Sequence, residues 1–373
     1  MNYLNEDQEL MLDSVRQLCE QHLDPIIDET IEKDVFPDEI LKMMQELGIP
    51  SLTLPEEFGG LGEGMVLKCA IEKEIAKHSM SMAFIGTDSS VAHLVLRTGT
   101  HEQIGHYLPK LLDKPGAFGF TEPTGGSDVA GLQTVARRDG DEWVIDGQKT
   151  FISYVNQCDV FLIAAKTAET GKGGLSTFLV ERGTPGFTVG SIFHKLGFRG
   201  SDTGELFLDG VRVSQSAMIG PENKGMRAVL SLLDEARIGV AAVACGIAEA
   251  AIEKARDFAK ERIAFGGPVA AKQGIQWYFA EMEAKRAAAE ALLMEAAQAF
   301  DAGQPITTAA AKAKLVASEM ALEVTEKAVQ ICGGYGLMND FGVERLYRDA
   351  KCCSIIEGTS EILKLVIARE VLA

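Results

Sequence analysis

Apolar positions along the chain fall into three textures. Up to about residue 117 they recur at helical spacing. Leu10, Leu12, Val15, Leu18 and Leu23 predict a helix over 6–23, and 37–47 repeats the pattern until Gly48-Ile49-Pro50 stops it. Further helices are predicted over 66–78, around 90–98 and around 102–112. The run Pro55-Glu56-Glu57-Phe58-Gly59-Gly60-Leu61-Gly62 is too rich in glycine to be helical.

From about 118 to 227 the texture becomes short alternating runs separated by turn dipeptides. Asp146-Gly147 between Trp143-Val144-Ile145 and Gln148–Ile152, and Asp209-Gly210 between Glu205–Leu208 and Val211–Val213, each predict a two-residue hairpin. Residues 160–165 and 176–180 read as further strands. Strands without intervening helices predict an antiparallel β-domain, which argues against a Rossmann unit, and the chain has no G-x-G-x-x-G.

After Gly225 the period returns to that of a helix. Ile247, Ala251, Ala255, Phe258 and Arg262 share one face, 273–300 is alanine-rich, and Ala311, Leu315, Ser318, Leu322, Thr325, Val329 and Cys332 step 4-3-4-3-4-3 up to Gly333-Gly334, a C-cap pair. These stripes read as bundle core. The expected architecture is an N-terminal α-helical domain (1–117), a middle antiparallel β-domain (118–227) and a C-terminal bundle like a four-helix bundle (228–373), in one protomer without linkers.

Charge narrows the partners. A net charge of −18 argues against nucleic acid and anionic membrane, both of which attract basic surfaces. No apolar run approaches the roughly 20 residues that span a bilayer. The start, Met1 to Gln8, is acidic and lacks a signal peptide's basic and apolar regions, so a cytoplasmic location is expected. The seven cysteines have no zinc-like spacing and read as buried thiols; His93 and His194 lack ligand spacing, and no metal is expected.

Two stretches carry chemistry. In Arg348–Ile362, Glu357 follows Ile355-Ile356 and precedes Gly358, an apolar setting that raises a carboxyl pKa toward that of a useful base, with glycine permitting close approach. The competing reading is a helix start, since Thr359-Ser360-Glu361 is good capping chemistry. In Ala117–Val129, glycines interleaved with hydroxyls expose donors that suit a ring's polar edge and a pyrophosphate, although ordinary loops share this composition.

Arg348–Ile362 resembles the C-terminal signature R-D-A-K-x-x-x-I-x-E-G-T-S-[EQ]-I of the acyl-CoA dehydrogenases, and Thr121-Glu122-Pro123…Gly126-Ser127-Asp128 resembles their flavin motif. The resemblance spans residues 3–373 and is nearest to short-chain members. It implies the acyl-CoA dehydrogenase fold, FAD as cofactor, and Glu357 as the base that takes the α-proton of a thioester. It places Phe118, Phe120, Thr121, Phe151, Ser153, Thr359 and Glu361 at the flavin, with Ser127 toward the phosphate-bearing chains and substrate. Phe151 stands where tryptophan is usual, and Tyr154-Val155-Asn156 departs from the family pattern. Glu261-Arg262-Ile263-Ala264-Phe265-Gly266 with Gln273, and Gln330…Gly333-Gly334, resemble segments that reach a neighbouring chain's FAD. A homotetramer, a dimer of dimers, is therefore expected. Asp234, Arg237, Ile356 and Gly358 are placed at the substrate, as is Asp88, whose segment lines the acyl pocket; the alternative for Asp88 is a helix cap, and for Asp234/Arg237 an intrahelical ion pair. Ile356 replaces a common tyrosine. The implied activity is α,β-dehydrogenation of an acyl-CoA, with electrons passed to an electron-transfer flavoprotein. The alternatives are a cyclic, branched or dicarboxylic substrate, an enoyl-CoA reductase or oxidase of the same fold, and a non-enzymatic helical assembly protein.

Overall fold

The computed structural model describes residues 3–168 and 174–373, so Met1 and Asn2 of the acidic start lie outside it. The N-terminal helices are α1 (Glu6–Leu18), α2 (Ile27–Lys33), α3 (Asp38–Glu46), α4 (Met65–His78), α5 (Met80–Ile85), α6 (Ser90–Thr98) and α7 (His101–Asp113). Capping boxes set two of the starts, Asn5 with Gln8 on α1 and Thr100 with Gln103 on α7. The first helix does not run to Leu23 as one α-helix, because Cys19–Leu23 widens into a π-turn. Helices α2 and α5 carried no readable signal, since such short segments hold too few apolar repeats.

The sheet comprises β1 (Ala117–Gly119), β2 (Val135–Asp139), β3 (Glu142–Ser153), β4 (Val160–Lys166), β5 (Leu175–Glu181), β6 (Phe187–Ile192), β7 (Thr203–Ser214) and β8 (Met218–Ile219). Their order is β6-β7-β3-β2-β4-β5-β8, with β1 beside β4. Neither expected hairpin exists. Asp146-Gly147 lies inside the continuous β3 and Asp209-Gly210 inside the continuous β7, and these two strands pair with each other. The dipeptides meet at a bulge, where Gly210 N–H donates to Asp146 Oδ1 at 2.8 Å. A bulge uses the same glycine freedom as a turn, and Gly210 sits at φ +59. The tight turn is Gly140-Asp141, which joins β2 to β3. The sheet is also not purely antiparallel, because β1 and β2 each run parallel to β4.

The C-terminal part comprises α8 (Gly225–Glu261), the ribbon β9 (Ile263–Ala264) and β10 (Gly267–Pro268), α9 (Gln273–Asp301), α10 (Thr307–Cys332), α11 (Val343–Cys353) and α12 (Ser360–Val371). Helices α8 and α10 form its centre through small residues. On α10 the stripe reading needs correction: Ala311, Ser318, Thr325 and Cys332 are buried, whereas Leu315, Leu322 and Val329 are only half-buried. The covered face is rotated toward Ala310, Ala313, Ala317, Ala321, Val324 and Ala328, where alanine lets the helices approach closely. Gly333 ends α10 at φ +59, as its C-cap. Helix α4 packs on α8, and a Cβ at Gly246 would lie 2.1 Å from Lys73 O, so only glycine permits this approach. Among the described residues no helix is long and apolar enough to cross a membrane.

Candidate active site

Glu357 lies in the turn between α11 and α12, and both it (φ +52) and Gly358 (φ +100) have left-handed backbone. Such a conformation costs free energy for a non-glycine residue and persists only when its surroundings hold it. Here two buried cations hold it from the bundle. Arg237 Nε donates to Glu357 O at 3.3 Å, and Lys314 Nζ donates to Gly358 O at 2.7 Å. Among the described residues the Glu357 N–H donates to no other group of the chain. Burial pushes the Glu357 carboxyl up, the Asp88 carboxylate adds to this, and Arg237 and Lys314 pull it back, leaving it at about 7. Burial itself draws Lys314 down to about 8.

The expected ion pair is present: Arg237 Nη1 donates to Asp234 Oδ1 at 2.8 Å, and Thr307 Oγ1 donates to Asp234 Oδ2 at 2.6 Å. Arg237 is thus committed to Asp234 and the Glu357 backbone. Asp88 caps its own turn, its Oδ1 accepting the Ser90 N–H at 2.9 Å. It also stands electrostatically next to Glu357, and burial raises its own carboxyl despite Ser90 and Lys68. The cap reading of Asp88 is thus present in the turn. Ile356 is half-buried beside this group. Thr359 Oγ1 caps α12 by accepting the Ile362 N–H at 3.5 Å, and Glu361 is exposed in its first turn.

The glycine-rich stretch is tied to the sheet. Thr150 N–H donates to Thr121 O at 2.9 Å, which sets Phe118, Phe120 and Thr121 beside the end of β3 that carries Phe151 and Ser153. The Phe118 and Phe120 rings stack at 5.6 Å. Phe151 has φ +56 beside a bulge, which turns its ring outward, 65% exposed. Ser127 is exposed on the loop. Underneath, the fully buried Lys149 Nζ lies 2.8 Å from Glu122 Oε1, which also accepts from Thr134 Oγ1 at 2.6 Å. Burial opposes the Glu122 charge, but Lys149, Thr134 and the Gln133 N–H outweigh it and hold the carboxyl below its usual range.

A second group sits apart from Glu357. Arg262 and Gly334 line a cleft of about 470 Å³ with Phe258, Gly333, Tyr335 and Met338. The Arg262 guanidinium lies 5.8 Å from the Tyr335 ring centre and has no carboxylate partner among the described residues. Phe265, at the tip of the β9/β10 ribbon, is 96% exposed, and Gln273 and Gln330 are exposed too.

Family comparison bears directly on this geometry. Models of the acyl-CoA dehydrogenase N-terminal, middle and C-terminal domains match residues 5–115, 117–211 and 223–372. The chain belongs to the acyl-CoA dehydrogenase family. It is therefore an oxidoreductase of a family that uses FAD. An acryloyl-CoA reductase (NADH) of Anaerotignum propionicum is 45% identical over 99% of this chain and 95% of its own. The butyryl-CoA dehydrogenase structure of Megasphaera elsdenii superposes with a TM-score of 0.97 at 36% identity, covering both chains fully. A structure titled as the electron transferring flavoprotein of Acidaminococcus fermentans matches with a TM-score of 0.96 at 35% identity, again over both chains.

The residues of this acyl-CoA dehydrogenase fit FAD. An exposed apolar ring at Phe151 flanks the Ser153 hydroxyl, and Arg262 offers an uncompensated guanidinium beside a glycine-walled cleft. Sequence reasoning did not reach Lys314, Thr307 or Lys68. A signal existed for Lys314, which falls in step with Ala310, Ala311 and Ser318, where a charge on a buried stripe asks for a partner.

Proposed function

We propose that this protein removes the α-proton and β-hydride of a short-chain acyl-CoA thioester to give the 2-enoyl-CoA. Glu357 is the base, and electrons leave to an electron-transferring flavoprotein. The carrying observation is the Glu357 turn: a carboxyl raised to about 7 next to its own unspent backbone N–H. A thioester α-proton is too weakly acidic for an unaided carboxylate, so the carbonyl oxygen needs a donor that strengthens as enolate charge develops. The Glu357 N–H suits that task while the side chain takes the proton. Bound FAD supplies the acceptor for the hydride.

The test is flavin bleaching by butyryl-CoA as a function of pH. The base must be unprotonated, and its pKa is raised, so the rate should climb with pH through a midpoint of about 7 and level off above it. The groups facing the carboxylate are Asp88, which raises this midpoint, and Arg237 and Lys314, which lower it. Asp88→Asn should therefore move the midpoint down. A midpoint in the ordinary carboxylate range, unmoved by Asp88→Asn, would count against Glu357 as the base.

One observation favours a second reading. The 45% identical relative is named a reductase, and the same turn run backwards would return a proton from Glu357 to Cα. Prereduced holoprotein that acryloyl-CoA reoxidises, but that no saturated thioester bleaches, would favour reduction as the working direction.

The FAD site is completed by a second copy of the chain. Phe265 and Ile263 on the ribbon, Trp277 on α9, and Leu337 and Met338 beyond α10 are exposed large apolar side chains, and Met338 lines the Arg262 cleft. Four copies assembled as a dimer of dimers would cover them. Arg262→Ala should leave the far-ultraviolet circular dichroism unchanged and lower the FAD retained after dialysis. Full occupancy in the dialysed variant would mean that the arginine does not serve the pyrophosphate.

A further inference from the structure

Three lysines are buried among the described residues, Lys68, Lys149 and Lys314. Two of them have carboxylate partners: Lys149 Nζ lies 2.8 Å from Glu122 Oε1, and Lys68 Nζ lies 3.2 Å from Glu72 Oε1. Lys314 has none. It sits fully covered on the α10 stripe of Ala310, Ala311, Ala317 and Ser318, and its ammonium makes one hydrogen bond among the described residues, to Gly358 O at 2.7 Å. Burial draws the ammonium down to about 8, opposed by Cys353 and Glu357, while Arg237 adds to the fall and Glu361 to the opposition. An ammonium without a counter-charge is costly inside a protein, and an apolar side chain of similar volume would fill the stripe without that cost. Stability therefore does not account for a lysine here; the group it touches does.

That group is the least constrained link of the Glu357 turn. Gly358 stands at φ +100, and a Cβ built on it would meet nothing closer than the Arg237 guanidinium at 3.5 Å, so close packing does not hold this peptide. Among the described residues the N–H groups of Glu357, Gly358 and Thr359 donate to nothing in the chain, which leaves the two carbonyl oxygens as the points of attachment. Arg237 reaches Glu357 O only at 3.3 Å and is also committed to Asp234. The Lys314 bond at 2.7 Å is short and charge-assisted, and it is the stronger of the two holds.

We propose that Lys314 is the positioning residue of the catalytic turn: its ammonium anchors the peptide after Gly358, so that the Glu357 carboxylate and backbone N–H keep a fixed aim at the thioester. This deepens the dehydrogenase reading and rests on it. Lys314 acts through the backbone and transfers no proton; Glu357 takes the α-proton as before. A base misplaced by about 1 Å can lose about 10²-fold in rate, so a turn freed to move should slow the chemistry more than it weakens binding. The charge has a second effect. Of the groups that face Glu357, Asp88 raises its carboxyl while Arg237 and Lys314 lower it, so removing Lys314 should move the base up.

The test compares the Lys314→Met and Lys314→Arg holoenzymes with wild type. Methionine keeps the length of the side chain and removes its charge and donor, whereas arginine keeps both. Anaerobic stopped-flow bleaching by butyryl-CoA across pH gives a limiting rate, an apparent dissociation constant and a pH midpoint, and denaturant unfolding gives stability. Lys314→Met is expected to retain FAD and to unfold at the same or a higher denaturant concentration than wild type, because an apolar side chain suits the stripe. Its limiting rate should nevertheless fall by about tenfold or more at a similar dissociation constant, with the midpoint moved up. Lys314→Arg should recover most of the rate and bring the midpoint back. A Lys314→Met enzyme with the wild-type rate and midpoint overturns the assignment. So does one whose stability and FAD retention collapse along with its rate, the pattern of a purely structural lysine. Either result leaves the dehydrogenase reading intact, since that is judged on wild type: if butyryl-CoA does not bleach the wild-type flavin at any pH, the parent reading fails and the role of Lys314 fails with it.

Discussion

Glu357→Gln is expected to slow the bleaching of bound flavin by butyryl-CoA by at least about 10²-fold, the contribution typical of a positioned general base. Glutamine keeps the shape of the side chain and removes its basicity. The variant should fold, because the turn is anchored by its backbone. Arg237 and Lys314 grip the backbone oxygens of Glu357 and Gly358, so the left-handed conformation does not depend on the carboxylate. Bound flavin and acyl-CoA affinity should therefore survive. The affinity can be read from the spectral shift that the thioester causes before any bleaching. A variant that bleaches as fast as wild type would place the base elsewhere, with Asp88 the next residue to substitute.

Glu122→Ala should have the largest effect on stability. It would leave the Lys149 ammonium buried without its counter-charge and release three donors on Gln133 and Thr134. Breaking a buried pair by removing one partner costs about 3–5 kcal/mol. A shift of that size should appear in denaturant unfolding, together with loss of flavin, because Glu122 clamps the loop that carries Thr121 and Ser127 to the start of β2. Glu122→Gln retains acceptor capacity and should cost less. A loss in Glu122→Ala below about 1 kcal/mol, the scale of an exposed ion pair, would mean that Lys149 finds another partner and that the pair is not the clamp.

The two dipeptides that misled the sequence reading show where local information ends. Asp-Gly supplies a residue that tolerates left-handed backbone, and both a tight turn and a bulge need one. Which is formed depends on whether the chain on either side pairs with itself or with a distant strand. Here β3 and β7 pair with each other over their length, so the dipeptides became facing bulges, while Gly140-Asp141 made the turn. The stripe on α10 went astray more mildly. Its period was correct, but the buried face is set by how closely alanine lets α8 approach, and that lies in the partner helix.

By itself the sequence determined the order helical, β, helical, most helix positions, and the two motif stretches with Glu357 at the centre of one. These follow from apolar periodicity and from short runs of adjacent residues, and both are local properties. The tertiary structure alone decided what environment Glu357 has. Its carboxyl is raised by burial and by Asp88 and drawn back by Arg237 and Lys314, which come from a loop and two helices far away in the chain. Electrostatic coupling and burial act through space, so no window along the chain contains them.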